Sequence, residues 1–353
     1  MQAIVIHEFG GPDVLRLEDV PQPHPGEREV RVRVHATFVA RTRDISTRTG
    51  RHPYSREMRL PHILGGEHAG TVDAVGEGVD SALIGARVAV SSHLPCGDCP
   101  PCRSGRDEGC RQARILGVHS NGAYAEYCVA PAANVHRFPD DVGFAQAAAM
   151  AANGAVGTAQ LDAGAVGQGT WLAIPGASGA LGRVLVGLAA GRGAHVLGLT
   201  RDAASAPLIE ALGAHAVVDT NRADLADELI RLTAGNGVDV VIDNVAVADL
   251  FARYMPALAT TGRVVLSGAL AFDPLPVDAR SLYVNSQAIV GVRTGNRGKI
   301  EQFWEAVSGG YRLPAEGIER FPLERVAAAH AALTNGGFSG PVVLDISSGP
   351  ERG

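Results

Sequence analysis

Residues Trp171 to Gly182 read WLAIPGASGALG and are the strongest indication of the fold in this sequence. The apolar first half of this stretch predicts a buried strand, the glycines predict a tight turn, and the residues from about Ala180 predict a helix. This order is typical of a dinucleotide site, in which glycines let a pyrophosphate approach the helix N-terminus. A glycine turn that serves only helix–strand packing is the alternative.

The next predicted strand, His195–Leu199, indicates which dinucleotide is bound. An NAD site needs a carboxylate at the end of this strand for the ribose 2′-hydroxyl, but Thr200 and Arg201 follow instead, and Asp202 comes one step late. A hydroxyl and a guanidinium suit a 2′-phosphate, so we expect NADPH. The alternative is that Arg201 is a solvated surface residue. The predicted cofactor-binding residues are Gly176, Ala177, Ser178, Gly179, Ala180, Leu181, Gly182, Thr200, Arg201 and Asn244.

Strands and helices alternate after Asp140, whereas the first 140 residues contain short strands broken by Gly and Pro clusters. The alternation predicts an α/β unit with a parallel sheet covered on both faces, preceded by a mainly β domain. We predict domains at 1–145, with a cysteine lobe at 93–112, and at 146–284. The last part, 285–353, would contribute the final strands of the sheet and then return to the first domain through Pro341–Ile346.

Four cysteines, Cys96, Cys99, Cys102 and Cys110, lie in one short stretch, and only Cys128 lies elsewhere. Their spacing lets four thiolates converge on one tetrahedral ion, which leaves no open position for substrate. We therefore expect one structural Zn²⁺ per chain. Two disulfides or free thiols are the alternative.

Composition is that of an ordinary globular protein of 353 residues, with 46% hydrophobic and 19% charged residues. The net charge of −6 gives no reason to expect nucleic acid or a membrane surface as a partner. Met1–His7 lacks the basic start and apolar run of a signal peptide, and no run is long enough to span a membrane. We expect a cytoplasmic protein with a small-molecule substrate.

Several segments together resemble the medium-chain dehydrogenase/reductase superfamily over nearly the whole chain: Leu64–Gly76, the cysteine lobe, Gly122–Tyr127, Gly176–Gly182, Gly237–Asp243, Gly291–Arg297 and Gly340–Leu344. The resemblance implies a GroES-like catalytic domain and a Rossmann domain with a doubly wound parallel sheet. It also implies an active site between them, and a homodimer joined through the strand that Gln287–Val292 supplies. The apolar run Ala288–Val292 would otherwise be an exposed edge, although a strand covered within its own subunit is the alternative.

The zinc ligands of the alcohol dehydrogenases in this superfamily are missing. Gly66 stands where a Gly-His-Glu motif has its histidine, Ala40 or Arg41 where the first cysteine belongs, and Ala152–Gly154 contains no later cysteine. His68 could stand in for the histidine, but successive residues of a strand face opposite sides. We therefore expect His68 to be a packing or hydrogen-bonded residue, and the active site to lack zinc.

The zinc-free branch of the superfamily resembles quinone oxidoreductases and enoyl reductases. Asp44, Arg48, Gly50 and Tyr54 roughly fit the spacing of its pocket motif, but Ala40-Arg41-Thr42 does not reproduce its Asn-Pro. The predicted catalytic residues are Tyr54 and Thr42 as proton donors, and Arg41 or Arg43 as an electrostatic partner.

Without a metal to polarise a carbonyl, the expected reaction is hydride transfer from NADPH to a conjugated C=C bond, an iminium or a quinone. One rival is a carbonyl reductase or alcohol dehydrogenase, metal-free or with unusual zinc ligands. The other is a non-catalytic NADPH-binding protein.

Overall fold

Two units make up the chain in a computed structural model that describes residues 1–269, 273–336, 338 and 340–346, apart from the side chain of Ala152. The first unit comprises Met1–Ala152 and Pro314–Gly353, and the second comprises Asn153–Leu313. The first division lies inside the helix Phe144–Ala163, later than the boundary predicted at residue 145. The second division places all of 285–313 with the second unit.

The elements of the first unit before this division are mostly short strands. They are β1 (Gln2–Ile6), β2 (Arg16–Asp19), β3 (Glu29–Phe38), α1 (Arg43–Arg48), β4 (His62–Ile63), β5 (His68–Val75), β6 (Arg87–Val90), β7 (His93–Leu94), α2 (Pro100–Arg103), β8 (Arg114–Ile115), β9 (Tyr127–Pro131), β10 (Val135–Arg137) and the start of α3 (Phe144–Ala163).

The second unit alternates strands and helices, and the chain then returns to the first unit. The second unit contains β11 (Trp171–Pro175), α4 (Ala180–Gly191), β12 (His195–Thr200), α5 (Ala206–Ala211), β13 (Ala216–Asp219), α6 (Leu225–Leu232), β14 (Val238–Asp243), α7 (Ala248–Tyr254), β15 (Leu258–Leu266), α8 (Ala279–Val284), β16 (Ala288–Gly291) and α9 (Arg297–Ser308). The return contains β17 (Glu319–Pro322), α10 (Val326–Thr334) and β18 (Val342–Asp345).

Single turns of 3₁₀ helix connect several of these elements. They lie at Pro12–Val14, Ser55–Glu57, Ser81–Leu83, Asp107–Gly109, Ala132–Asn134, Ala203–Ser205, Met255–Ala257 and Leu323–Arg325.

The first unit is built around a seven-stranded sheet. Its strand order is β10-β6-β5-β3-β18-β17, and β9 also pairs with β3. A three-stranded sheet β2-β1-β4 and the small pair β7-β8 complete the unit. Strand β3 alternates valines at positions 30, 32 and 34, all fully buried, with half-buried polar residues, as expected of a strand with one face on a core. The unit therefore has a β core of its own, as the first 140 residues predicted.

The second unit contains the predicted parallel sheet, in the order β13-β12-β11-β14-β15-β16. All five pairings in this sheet are parallel. Strand order reverses between β11 and β14, which is the switch point where α/β sheets of this type bind ligands at the carboxyl ends of the strands. The glycine turn after β11 lies at this point.

The segment Pro341–Ile346, for which the sequence predicts a return to the first domain, contains strand β18. Strand β18 pairs antiparallel with β3, with Leu344 opposite Thr37, and parallel with β17. Residues 347–353 lie outside the described part of the chain. Among the residues that are described, no helix is both long enough and apolar enough to cross a membrane.

Candidate functional site

The four lobe cysteines converge as their spacing predicted. Their sulfur atoms all lie within 4.8 Å of one another, and the Sγ–Sγ distances include 3.4 Å for Cys99–Cys102 and 3.5 Å for Cys96–Cys110. These separations are far longer than a disulfide bond and close to the roughly 3.8 Å that a tetrahedral ion with 2.3 Å Zn–S bonds requires. All five cysteines are free thiols. The lobe therefore has the donor set and the geometry of a closed structural zinc site.

The glycine turn of the second unit has the geometry that a pyrophosphate needs. Gly176 has φ +74°, which favours glycine, and a Cβ atom on Gly182 would collide with the Gly176 carbonyl oxygen. Gly179 is the N-cap of the twelve-residue helix α4 and makes no side-chain cap hydrogen bond. The backbone N–H groups of the first turn can thus bind an anion. These residues fit the phosphates of a dinucleotide.

Strand β12 brings Thr200 to Ser178 in the turn. The Thr200 hydroxyl donates to Ser178 Oγ at 3.1 Å and accepts from the Asp202 backbone N–H at 3.0 Å. Both hydroxyls are buried, whereas Arg201 is exposed. The Asp202 carboxylate folds back over the turn that follows, where it accepts from the Ala204 N–H at 3.1 Å. Asp202, the carboxylate that comes one residue after the expected position for a ribose ligand, therefore caps the turn Ala203–Ser205.

Two further residues bear on the predicted cofactor site. Arg183, which the sequence did not single out, is buried on α4, and its Nε donates to the Ser178 carbonyl at 2.8 Å. Burial lowers the pKa of Arg183, while the Asp202 charge opposes this shift. Asn244, after β14, exchanges two amide hydrogen bonds with Gln160, at 2.9 and 3.2 Å. Asn244 thus holds α3 against the sheet.

Arg43 occupies the space beside Gly66, where a zinc dehydrogenase has its histidine. A Cβ atom placed on Gly66 would stand 2.8 Å from both Cζ and Nη1 of Arg43, and 2.7 Å from Ser92 Cβ. A histidine side chain therefore has no room at position 66 unless Arg43 moves.

A set of short polar contacts fixes the Arg43 guanidinium. Its Nε donates to Asp44 Oδ1 at 2.8 Å, and its Nη1 donates to Ser92 Oγ at 3.0 Å and lies 2.6 Å from Glu67 Oε2. Ser92 in turn donates to the other oxygen of Glu67. Burial alone would lower the pKa of Arg43, but the charges and hydrogen bonds of Asp44 and Glu67 outweigh it and raise that pKa. Arg43 is thus a permanent cation held between two carboxylates.

The second oxygen of Asp44 is tied to a buried chain of hydrogen bonds. It accepts from the Ala40 backbone N–H at 2.9 Å and from the Tyr124 hydroxyl at 3.0 Å. The Tyr124 oxygen lies 3.1 Å from Nε2 of His330 on α10. Because Tyr124 gives its proton to Asp44, the His330 Nε2–H is the donor in that contact. No pattern in the sequence indicates this connection between α1 and the C-terminal return.

His68 lies on β5 and is fully buried. Its Nδ1–H donates to the Gly66 carbonyl at 2.9 Å, and burial lowers its pKa to about 4. The prediction that His68 is a hydrogen-bonded packing residue is confirmed.

The three predicted catalytic residues have different surroundings. Arg41 and Thr42 are exposed, and Thr42 caps α1 without a side-chain hydrogen bond. Tyr54 is half-buried, with its ring 5.0 Å from that of His119 and 5.6 Å from that of His52. His119 borders a polar cavity of about 540 Å³ in the first unit. Of the arginines considered, Arg43 and not Arg41 is the one held in a charged cluster.

The residues of this region do not fit a catalytic zinc. Within the described residues, the four lobe cysteines form the one group of three or more His, Cys, Asp or Glu residues whose ligand atoms converge. Near position 66 the imidazole ligand is lacking, and a guanidinium takes its space. Asn153 and Gly154 lie on α3, where Gly154 contacts the Phe303 ring, and the Ala152 side chain is outside the described part.

Comparisons with known proteins agree with this fold. The family model of the alcohol dehydrogenase GroES-like domain matches residues 26–140, and that of the zinc-binding dehydrogenases matches residues 180–309. An alcohol dehydrogenase of Geobacillus stearothermophilus is 30% identical over 98% of this chain and 100% of its own. A human quinone oxidoreductase is 27% identical over 98% of this chain and 97% of its own.

A solved structure extends the likeness to the whole chain. The crystal structure of an NAD-dependent alcohol dehydrogenase has a TM-score of 0.91 and 32% identity, and it covers 98% of this chain and 100% of its own. With both domains, the cysteine lobe and the dinucleotide turn in place, the chain belongs to the medium-chain dehydrogenase/reductase superfamily.

Proposed function

We propose that this member of the superfamily is an NADPH-dependent oxidoreductase that reduces a conjugated C=C bond, an iminium or a quinone without a catalytic metal. The observation that carries the proposal is the position of Arg43, whose Cζ and Nη1 would lie 2.8 Å from a Cβ atom at residue 66. The space of a metal-binding imidazole is filled by a cation that cannot bind a metal.

The reaction class follows from the loss of the metal. A zinc ion acting as a Lewis acid contributes several kcal/mol to the polarisation of a plain carbonyl. A conjugated acceptor spreads the incoming negative charge over its own π system, so it depends least on that help. A bound nicotinamide supplies the hydride. The chain must then hold the acceptor, exclude water and provide a proton, for which Tyr54 remains our candidate donor.

The choice of NADPH is supported by the end of β12. Thr200 and Ser178 present two buried hydroxyls, Arg201 is an exposed cation next to them, and the Asp202 carboxylate is engaged with its own turn. A 2′-phosphate gains charge-assisted hydrogen bonds from such a set and meets no free carboxylate at the strand end. We also propose that one Zn²⁺ fills the cysteine lobe and that the protein works in the cytoplasm.

The test is a panel of acceptors with the zinc-loaded protein and NADPH. Enones, quinones and cyclic iminium salts should be reduced at rates that a chelator in the assay does not change, while unconjugated ketones and aldehydes react poorly. Rapid reduction of unconjugated ketones, with enones and quinones inert, would favour a carbonyl reductase instead. Activity that needs a second zinc per chain would contradict the metal-free site, and an entirely inert panel would favour a non-catalytic NADPH-binding protein.

A further inference from the structure

One nitrogen of the Arg43 guanidinium, Nη2, makes no hydrogen bond within the described residues. Its Nε is used by Asp44, and its Nη1 by Ser92 and Glu67. Its Nη2 is buried and has no hydrogen-bond acceptor within the described residues. A buried donor without an acceptor is costly, and an oxygen atom of a bound ligand would remove that cost.

The guanidinium is also held rigidly, which is what a preorganised donor requires. Asp44 fixes its Nε side, and Asp44 is itself fixed by the Ala40 N–H and the Tyr124 hydroxyl. Only 13% of the Arg43 side chain is exposed. Such a donor stabilises developing charge without reorganising at the moment of reaction.

We propose that Arg43 is a catalytic residue that takes over the role of the absent zinc, with Nη2 donating a hydrogen bond to the carbonyl oxygen of the conjugated acceptor. This inference rests on the proposed function and names the group that stabilises the reaction's charge. As the hydride adds to the β-carbon, the C=C π bond breaks and its electron pair moves through the α-carbon onto the oxygen as an enolate. A proton, for which Tyr54 is the candidate donor, then adds to the α-carbon.

The charges around Arg43 predict how removal of the Glu67 charge would change the binding of an oxyanion. Asp44 and Glu67 together carry two negative charges against the single positive charge of Arg43. The stabilisation of an oxyanion must therefore come from the directed N–H group, and the carboxylates oppose it. Removing the charge of Glu67 while keeping its shape should make the site a better oxyanion binder.

The alternative is that Arg43 only neutralises two buried carboxylates. Both roles predict that Arg43→Met destabilises the protein, so stability cannot separate them. We therefore choose 4-nitrophenol as a probe, because its visible spectrum reports how much of the bound phenol is ionised. An N–H donor at the phenol oxygen lowers its pKa, whereas a purely structural arginine does not.

The experiment compares wild type with Arg43→Lys, Arg43→Met and Glu67→Gln, and uses Arg51→Met as a matched control. Arg51 follows the same helix but is exposed. Wild type should lower the pKa of bound 4-nitrophenol, Arg43→Met should abolish the shift, and Glu67→Gln should enlarge it. Enone turnover should fall by roughly 10²–10³-fold in Arg43→Met, the usual cost of one oxyanion donor, and by less in Arg43→Lys. Arg51→Met should match wild type.

The inference is overturned if wild type binds 4-nitrophenol with its solution pKa or does not bind it. It is also overturned if folded Arg43→Met keeps its enone turnover within threefold. If Arg43→Met does not fold, Arg43→Lys and the wild-type probe decide. An inert acceptor panel with a normal probe response would refute the proposed reaction while leaving the oxyanion role of Arg43 in place.

Discussion

The hydroxyl of Tyr124 and the Nε2 atom of His330 lie 3.1 Å apart in full burial, although 206 residues separate them in the chain. Through this contact the C-terminal return reaches Asp44, and through Asp44 it reaches Arg43. The contact requires a proton on Nε2, and the buried Nδ1 atom has no hydrogen-bond partner among the described residues. A second proton, on Nδ1, would add a buried charge without a partner, so the stability of this region should depend on pH.

We expect the first unit to lose stability as the pH falls below about 6.5. Burial, helped by the Arg48 charge, lowers the pKa of His330 from 6.5 to about 3, and burial lowers that of His68 to about 4. Between these values and 6.5 the unfolded chain binds protons that the folded chain does not, so the free energy of unfolding decreases as the pH falls. Urea unfolding between pH 7.5 and 4.5 should show this decline. His330→Gln should flatten it, and an unchanged slope in that variant would contradict the prediction.

Gly66→Ala should destabilise the protein by about 1–3 kcal/mol, because a Cβ atom there meets the tethered Arg43 and Ser92 at 2.7–2.8 Å. Gly191→Ala is the matched control. Its Cβ meets nothing within 4 Å and it lies on α4, so it should be neutral or stabilise by up to about 1 kcal/mol. Chemical denaturation measures both variants. Equal stabilities for Gly66→Ala and wild type would contradict this prediction, because they would mean that the Arg43 side chain moves aside at little cost in free energy.

Zinc analysis should give one ion per chain. Serine at Cys96, Cys99, Cys102 or Cys110 should release it and lower the melting temperature by at least roughly 2–4 °C, the shift that 1 kcal/mol produces in domains of this size. Cys128→Ser is the control, because Cys128 lies in the core and outside the cluster. It should keep its zinc. NADPH binding should survive in all the lobe variants.

Arg201→Ala should weaken NADPH binding by about 1–3 kcal/mol and leave NADH binding nearly unchanged, as expected for a lost hydrogen bond between charged groups. Arg280→Ala, which removes another exposed arginine of the second unit, should affect neither cofactor. Fluorescence titration with both nucleotides tests this. A similar loss for NADPH and NADH would show that Arg201 does not bind the 2′-phosphate.

We expect a homodimer joined through the edge of the parallel sheet. Strand β16 pairs with β15 on one side and lies at the end of the described strand order. Just before it, Tyr283 and Val284 are 70% and 64% exposed. An apolar edge of this kind favours pairing with a second chain. Light scattering at micromolar concentration should give twice the chain mass, and Val284→Asp should shift it toward the monomer. A monomeric wild type would refute the prediction.

The two-part fold, the cysteine lobe and the dinucleotide turn could all be predicted from the sequence. Each of these depends on short-range spacing. Two-residue gaps bring thiolates together, and the alternation of strands and helices specifies a parallel sheet. Gly176 is required by its positive φ, and Gly182 is required by its close approach to the Gly176 carbonyl oxygen. The missing zinc ligand at Gly66 could also be read from the sequence, because a single position in a local motif reveals it.

The side chain that fills the space of that ligand could be identified only from the three-dimensional fold. From the sequence, Arg41 or Arg43 was the candidate electrostatic partner, because nothing local indicates which side chain turns inward. The choice depends on where α1 and the residues flanking β5 and β6 place Asp44, Glu67 and Ser92. The link from Asp44 through Tyr124 to His330 depends on a C-terminal segment far along the chain. Such contacts are set by packing between distant segments, and no pattern within any one of them encodes the partner.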